Sequence, residues 1–476
     1  MKRSPVDAMH TIDPSAAKDP GRRVVLQLAA AGTLGALLPA GIACADSAPV
    51  ATLPAAANSV RPLAAERLAS ALRDALLASL NLIPVTGGFL SFIGALFIPV
   101  AGKTAEELWR EYVDQAISES LFRLVRADLE GLSAVVGFYR QVVDSGDLDT
   151  LGSQSISANA IFAAAMPRFR LAREEVALLP LYVVAATMHL SLLRDMVLKA
   201  QELGFTPALR TSLQVQLSRC IKEYTQHVDT QVAAALEKAK ADNPNRDTPQ
   251  TRNQPFAAML DAKAGLQTAV IDIRDTWYAF DAIMFPGPVR VRLEREIIFL
   301  AGWWDSNSRA PEAIPSYPLP TSTLRRLEFW QHTFARVLYL AGVSLDYADG
   351  TQLRTGEING LLTTIDLPPN AYVNRVSTHF GSAVERIELG VGSNPTWRTV
   401  GTRRTLTDPA IVAPPDHRLS SIRSAGGARL TDGKDDCGYI IGFQLVNQEA
   451  MPMSVDLFDR VAPNIAPRLR EWIVGD

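Results

Sequence analysis

The sequence holds only three cysteines among 476 residues, Cys44, Cys220 and Cys437, and no two of them are close. That excludes a disulfide-built scaffold and a cysteine-rich zinc module. The six histidines are scattered and form no HExxH pair, so the commonest metal-hydrolase signature is missing. Positive charge is not in surplus: 47 basic against 50 acidic residues leave a net charge of −3. Nucleic-acid binding, which needs a basic excess to neutralise phosphates, is therefore not expected. There is no P-loop and no GxSxG elbow, and the histidines and acids fall into no spacing that a metal site or catalytic triad requires. Nothing here predicts an enzyme, a metal or a cofactor. What is present is an ordinary globular composition, 47% apolar and 20% charged, which excludes wholesale disorder. At ~100–200 residues per domain, the length predicts two or three domains.

Residues 1–45 read as an export signal. A polar leader ends in Gly21-Arg22-Arg23-Val24-Val25-Leu26-Gln27, and an uncharged stretch rich in Ala, Gly and Leu runs to Ala43-Cys44-Ala45. These are the basic region, apolar core and small-residue cleavage site of an exported protein. The arginine pair resembles a twin-arginine signal, although Gly21 stands where a hydroxyl residue is usual and Val25 where an aromatic is usual. Cleavage after Ala45 predicts a periplasmic or secreted chain; lipid attachment at Cys44 is the minority alternative. Residues 46–60 read as a linker.

From 61 to about 300 the pattern is helical. Residues 61–80 are amphipathic, and 75–102 carry no charge at all, though Pro84, Gly87, Gly88 and Pro99 interrupt that run. Thr104 and Glu107 form a capping box. Behind it Trp109, Val113, Ile117, Leu121, Val125, Leu129, Leu132, Val136, Tyr139 and Val143 mark one face of a long helix, or of two broken near Gly131. A shorter helix is expected over 155–170, with Pro167 near its end. Residues 174–203 are apolar in every direction, so that helix must be surrounded by protein or by lipid. Thirty such residues would measure roughly 45 Å, longer than a bilayer's hydrocarbon core of about 30 Å. Gly204 supplies a left-handed stop, Thr206 a cap and Pro207 the first turn of the next helix, which runs to about 241. On it, Cys220 shares the apolar face of Leu213, Leu217 and Tyr224. A last helix spans 256–284. The reading is a bundle of about seven helices around one central apolar helix.

The central segment, Leu179-Pro180-Leu181-Tyr182-Val183-Val184-Ala185-Ala186-Thr187-Met188-His189-Leu190-Ser191-Leu192-Leu193-Arg194-Asp195, resembles the fifth helix of the three-domain insecticidal crystal delta-endotoxins. Supporting matches lie in order at Ile83-Pro84-Val85-Thr86-Gly87-Gly88, Leu108-Trp109, 216–236 with Tyr224 and His227, and Phe280-Asp281-Ala282-Ile283-Met284-Phe285-Pro286. The resemblance implies a pore-forming helical domain over 61–304, in which a hairpin of 155–170 and 174–203 enters a membrane. The implied insertion residues are Leu179, Tyr182, Val183, Ala186, His189, Leu190, Leu193, Arg194 and Asp195. His189, Arg194 and Asp195 face a pore in that reading, or are satisfied polar groups of the soluble bundle.

Residues 305–476 read as a β domain, with four prolines between 311 and 320 marking the join. The stretches 338–350, 384–392 and 439–447 are similar strand units, the first turning at Asp349-Gly350, and together they predict threefold pseudo-symmetry. The strand character is similar to the β-prism of jacalin-like lectins and of the same toxins' second domain. The lectins' C-terminal sugar motif is absent around 451–459, and the toxins' third domain is not expected within these residues. The fold class expected is therefore multi-domain α plus β. Tyr347 and Trp397 are the expected surface-recognition residues, on loops of the β domain, with both rings packed inward as the equal alternative. The implied function is a secreted pore-forming toxin acting on a target-cell membrane through an unknown receptor or glycan, as a homo-oligomer in the membrane. The alternative is a non-lytic secreted binding protein that keeps the toxin fold.

Overall fold

The computed structural model describes residues 119–244, 254–302 and 318–446, apart from 382, 393–395, 403–405, 408–409, 425–426, 429–434 and 437, together with Arg73, Leu76, Leu77 and Leu80. The export signal, the linker, the capping box at Thr104 and Cys437 lie outside the described residues.

Helix α1 (Glu119–Ser145) buries the predicted face, Leu121, Val125, Leu129, Leu132, Val136 and Tyr139. It runs unbroken through Gly131, where an added Cβ would meet nothing within 4 Å. Helix α2 (Leu148–Ala165) starts seven residues before the expected 155. Asp147 is the reason: its carboxylate accepts from the Thr150 amide at 3.0 Å and starts the helix directly after the Gly146 turn. A short 3₁₀ turn, Met166–Phe169, leads to α3 (Glu175–Leu198). Every residue of α3 from Leu178 to Val197 is buried. Gly204 takes φ 69° as the left-handed stop. Thr206 caps α4 (Pro207–Asp242) by accepting from the Leu209 amide at 3.2 Å. Helix α5 (Gln254–Leu266) continues through a π turn, Gln267–Ile271, into one more helical turn, Asp272–Arg274. One large apolar core joins α1 to α4, Leu76, Leu77 and Leu80, and the segment from Trp277 to Leu293, with α3 at its centre.

The β region begins earlier than the expected 305. Strand β1 (Ile297–Gly302) pairs with β14 (Gly438–Leu445), which also pairs with β11 (His417–Ser424). A second sheet holds β2 (Leu324–Phe334), β3 (Val337–Tyr347), β4 (Gln352–Gly356) and β5 (Leu361–Asp366) in the order β4-β3-β2-β5. A third holds β6 (Val373–Phe380) and β7 (Val384–Val391), with β8 (Thr396–Val400) on one edge and β9 (Leu406–Thr407) and β10 (Ile411–Val412) beside β6. The remaining strands, β12 (Gly427–Ala428) and β13 (Asp435–Asp436), pair with each other. The three similar units fall one to a sheet, in β3, β7 and β14. Phe329 and Leu345, Val376 and Leu389, and Ile422 and Phe443 bring the three sheets onto one shared core, which makes a three-sided prism. The turn after β3 is at Asp349-Gly350 as expected: Gly350 has φ 84°, and the Asp349 carboxylate accepts from the Thr351 amide at 2.9 Å.

Candidate membrane-insertion helix and its surroundings

Helix α3 is the one described helix long and apolar enough to cross a membrane, and 89% of its most apolar stretch is buried in protein. Leu179, Tyr182, Val183, Ala186, His189, Leu190, Leu193, Arg194 and Asp195 all lie on it, none more than 4% exposed. In water, then, the expected insertion residues are core residues. A buried polar group is costly without a partner, so where each one finds its hydrogen bonds decides what holds the helix.

His189 is clasped from two sides. Its Nε2 lies 2.8 Å from Asn159 Oδ1 on α2, and its Nδ1 2.7 Å from the Tyr224 hydroxyl on α4. An amide oxygen only accepts, so Nε2 carries the proton and Nδ1 accepts from Tyr224. Asn159 and Gln216 exchange two further bonds at 3.1 Å, joining α2 to α4. The Phe162 ring stacks on His189 with centroids 5.6 Å apart. Burial pushes the imidazole's pKa down to about 4. The neighbouring His227, whose ring lies 4.5 Å from that of Tyr182, is also lowered to about 4, by burial and by the charge of Arg170.

Tyr182 accepts from Arg170 at 2.5 Å, and that guanidinium lies 5.0 Å from the Tyr182 ring and 5.7 Å from the Tyr224 ring. Thr187 donates to the Val183 carbonyl and accepts from the Trp277 indole at 3.0 Å. Arg194 holds the end of the helical region: it donates to the carbonyls of Ala279 and Phe280 at 3.1 and 3.3 Å, and to Gly287 at 3.1 Å. These carbonyls belong to chain leaving its last helical turn, where no helical donor remains. Asp195 is buried beside Arg194, and its charge partly offsets the lowering that burial imposes on the guanidinium. Cys220 points into the bundle as expected, hydrogen-bonded to Tyr224, and burial raises its thiol pKa.

Of the two expected surface-recognition residues, one packs inward. Tyr347 is 5% exposed, and its hydroxyl donates to the Ser420 carbonyl, so the ring is part of the prism core. Strand β3 is buried on both faces over most of its length, which removes the alternation that would have shown this. Trp397 is 44% exposed on the edge strand β8. Among the described residues, no cluster of His, Cys, Asp or Glu is placed to hold a metal ion.

The sequence reading missed a second polar centre, where the end of the helical region meets the prism. Asp272, wholly buried, accepts from Gln267 Nε2 at 2.9 Å and from Arg295 Nε at 2.8 Å, with a second bond from Arg295 Nη2. Arg73 Nη1 stands 3.9 Å away. Arg295 Nη1 lies 2.6 Å from His417 Nε2 on β11. Next to it Glu296 takes Ser420 and, at 2.7 Å, Arg423. Asp272 follows directly on the π turn, and nothing local in the sequence marks it as buried.

Residues 75–281 match the family model described as delta endotoxin, N-terminal domain. Among curated proteins, the pesticidal crystal protein Cry1Db of Bacillus thuringiensis is 26% identical over 258 residues, covering 52% of this chain and 21% of that protein. Cry1Ib of Bacillus thuringiensis subsp. entomocidus is 24% identical over 324 residues, 62% of this chain and 43% of that one. The chain thus spans less than half the length of these relatives. Among solved structures, the insecticidal delta-endotoxin Cry8Ea1 of Bacillus thuringiensis superposes with a TM-score of 0.59 at 18% identity, covering 82% of this chain and 74% of that one. PirB superposes with a TM-score of 0.59 at 14% identity, covering 80% of this chain and 96% of that one. At these identities the structures show a shared fold.

Proposed function

We propose that this chain, which belongs to the delta-endotoxin family through the helical N-terminal domain matched at residues 75–281, is a secreted pore-forming toxin that inserts the α2–α3 hairpin into a target membrane. One observation carries the reading: twenty consecutive buried residues, from Leu178 to Val197, on a helix of 24. At 1.5 Å per residue α3 measures about 36 Å, enough to cross a hydrocarbon core of about 30 Å. Its partner α2 carries no charge from Thr150 to its end, so neither arm of the hairpin brings a charge to mid-membrane. Arg194 and Asp195 lie four and three residues from the end of α3, close to headgroup depth once the helix spans.

In this reading residues 1–45 export the chain, the helical part to about 296 permeabilises, and the prism recognises a receptor or glycan on the target surface. Exposed Trp397 is an aromatic contact available there, as is Phe334 on β2. A non-lytic surface-binding protein is the second reading. It is favoured by the hydrogen bonds that satisfy His189, Thr187 and Arg194 in the soluble bundle. Release of trapped dye from vesicles, set beside binding to target-cell membranes and a glycan array, separates the two. Binding with leakage supports the toxin; binding without leakage, in every lipid and membrane extract tried, supports the scaffold.

A further inference from the structure

We propose that the Asp272–Arg295–His417 centre is an acid-sensitive latch: protonation of His417 parts the prism from the end of the helical region while the bundle around α3 stays closed. The geometry admits only a neutral imidazole. His417 Nδ1 lies 2.6 Å from the Pro415 carbonyl, which only accepts, so that nitrogen carries the proton. Nε2 is then an acceptor, aimed at Arg295 Nη1 at 2.6 Å. A second proton on the ring would set N–H against N–H and cation against cation. The ring is 3% exposed, so it cannot take the proton by turning to water.

The groups facing His417 from each neighbouring element do not relieve this. Arg295 comes from the segment leading into β1, and Arg73 from the helical segment near Leu76; both are positive and both disfavour the charged ring. Asp272 is already engaged by Gln267 and Arg295. Asp416 lies 4.0 Å from Arg73 and is itself exposed. From β14 the register partner is the apolar Leu445. Glu296, just before β1, is held by Ser420 and Arg423. Burial, with the Arg295 and Arg73 charges, holds His417 well below the ordinary histidine value.

The sign follows from linkage. A histidine lowered in the closed state takes up protons more readily once the latch is open. Closure is therefore favoured above about pH 6.5 and weakens as pH falls from there towards the closed-state value. Each pH unit in that window multiplies the open population by up to about tenfold. The latch yields before the bundle because of what else each buries. Among the described residues, the apolar cluster between α5 and the β1–β14 pair is small: Phe256, Ala257, Leu260, Leu300 and Ile440, with Met259 and Ile298 packed against it and Leu445 of β14 reaching the large core. His189, lowered to about 4, lies inside the large core around α3. Acid would thus free the helical region as a unit; that consequence for insertion rests on the pore-forming reading, while the latch itself does not.

The test uses the soluble full chain with no membrane, so it stands apart from the toxin reading. Amide hydrogen exchange, corrected for intrinsic rates, is followed from pH 7 to 5 in segments 267–276, 293–300 and 414–424, against 178–197 in α3. Opening of the three junction segments should rise at least tenfold while α3 stays protected. In His417→Gln, whose amide oxygen still accepts from Arg295, the rise should fall below threefold. An equal rise in variant and parent, or a parent junction still protected at pH 5, overturns the proposal. Should the variant fail to fold, histidine ring carbons labelled with ¹³C in the parent decide. A His417 signal that remains neutral until the junction opens supports the latch, and one that titrates near 6.5 with the junction closed refutes it.

Discussion

Helix α3 and the junction around Asp272 both bury polar side chains completely, but they tie them in different ways. On α3 the ties of Tyr182 to Arg170 and of Arg194 near the helix end are charged, and those between them join neutral groups: His189 to Tyr224 and Asn159, and Thr187 to Trp277. Each neutral tie is worth about 0.5–1.5 kcal/mol net, and each group can find another partner or water after a rearrangement. At the junction the ties are ionic and shared, with Asp272 serving Arg295 and Gln267 beside Arg73. Removing one member there leaves a charge stranded in a dry site. The central helix is thus held in a way that lets it leave, and the junction in a way that holds or fails as a whole.

The difference predicts an order of damage. Asp272→Ala should be the most destructive single change, costing about 3–5 kcal/mol, because it strands Arg295 beside Arg73. A urea midpoint within the error of the parent would break the contrast at its strong end. Arg194→Met should cost less, about 2–3 kcal/mol, by leaving the Ala279, Phe280 and Gly287 carbonyls unsatisfied while its methylene packing is kept. That variant should also melt with the bundle rather than with the prism, which differential scanning calorimetry would separate. Smallest are the two aromatic positions of the prism. Tyr347→Phe should cost about 1 kcal/mol through the lost bond to Ser420 and leave surface binding unchanged. Trp397→Ala should move stability by no more than about 0.5 kcal/mol and weaken binding to target membranes. The reverse pattern for this pair would place recognition elsewhere on the prism.

The contrast also explains what the sequence could and could not disclose. The all-round apolarity of 174–203 needs no partner to be read, and neither do the stop at Gly204 and the cap at Thr206, because those signals are local. The start of α2 was lost because Leu148–Ser157 is small and polar without a clear period; only the Asp147 cap marks it. The direction of Tyr347 is not legible for a different reason, since β3 is buried on both faces and alternation gives no direction. The junction was invisible: Arg73, Asp272, Arg295 and His417 are brought together from distant parts of the chain. Single charges in sequence look like solvated surface until the fold joins them.

Whether the α2–α3 hairpin leaves the bundle for the membrane can be tested directly on the outer face of α2. Ile156 and Ile161 are 47% and 39% exposed in the soluble fold, on opposite flanks of that face. Lysines there should cost the folded protein no more than about 0.5 kcal/mol. In a bilayer each lysine facing lipid costs about 2.5–3.5 kcal/mol, and two flanks cannot both be turned to water. The double variant Ile156→Lys, Ile161→Lys should therefore melt and bind membranes like the parent, yet release vesicle-trapped dye at least tenfold more slowly. Parental leakage from a double variant that folds normally would contradict insertion of this hairpin.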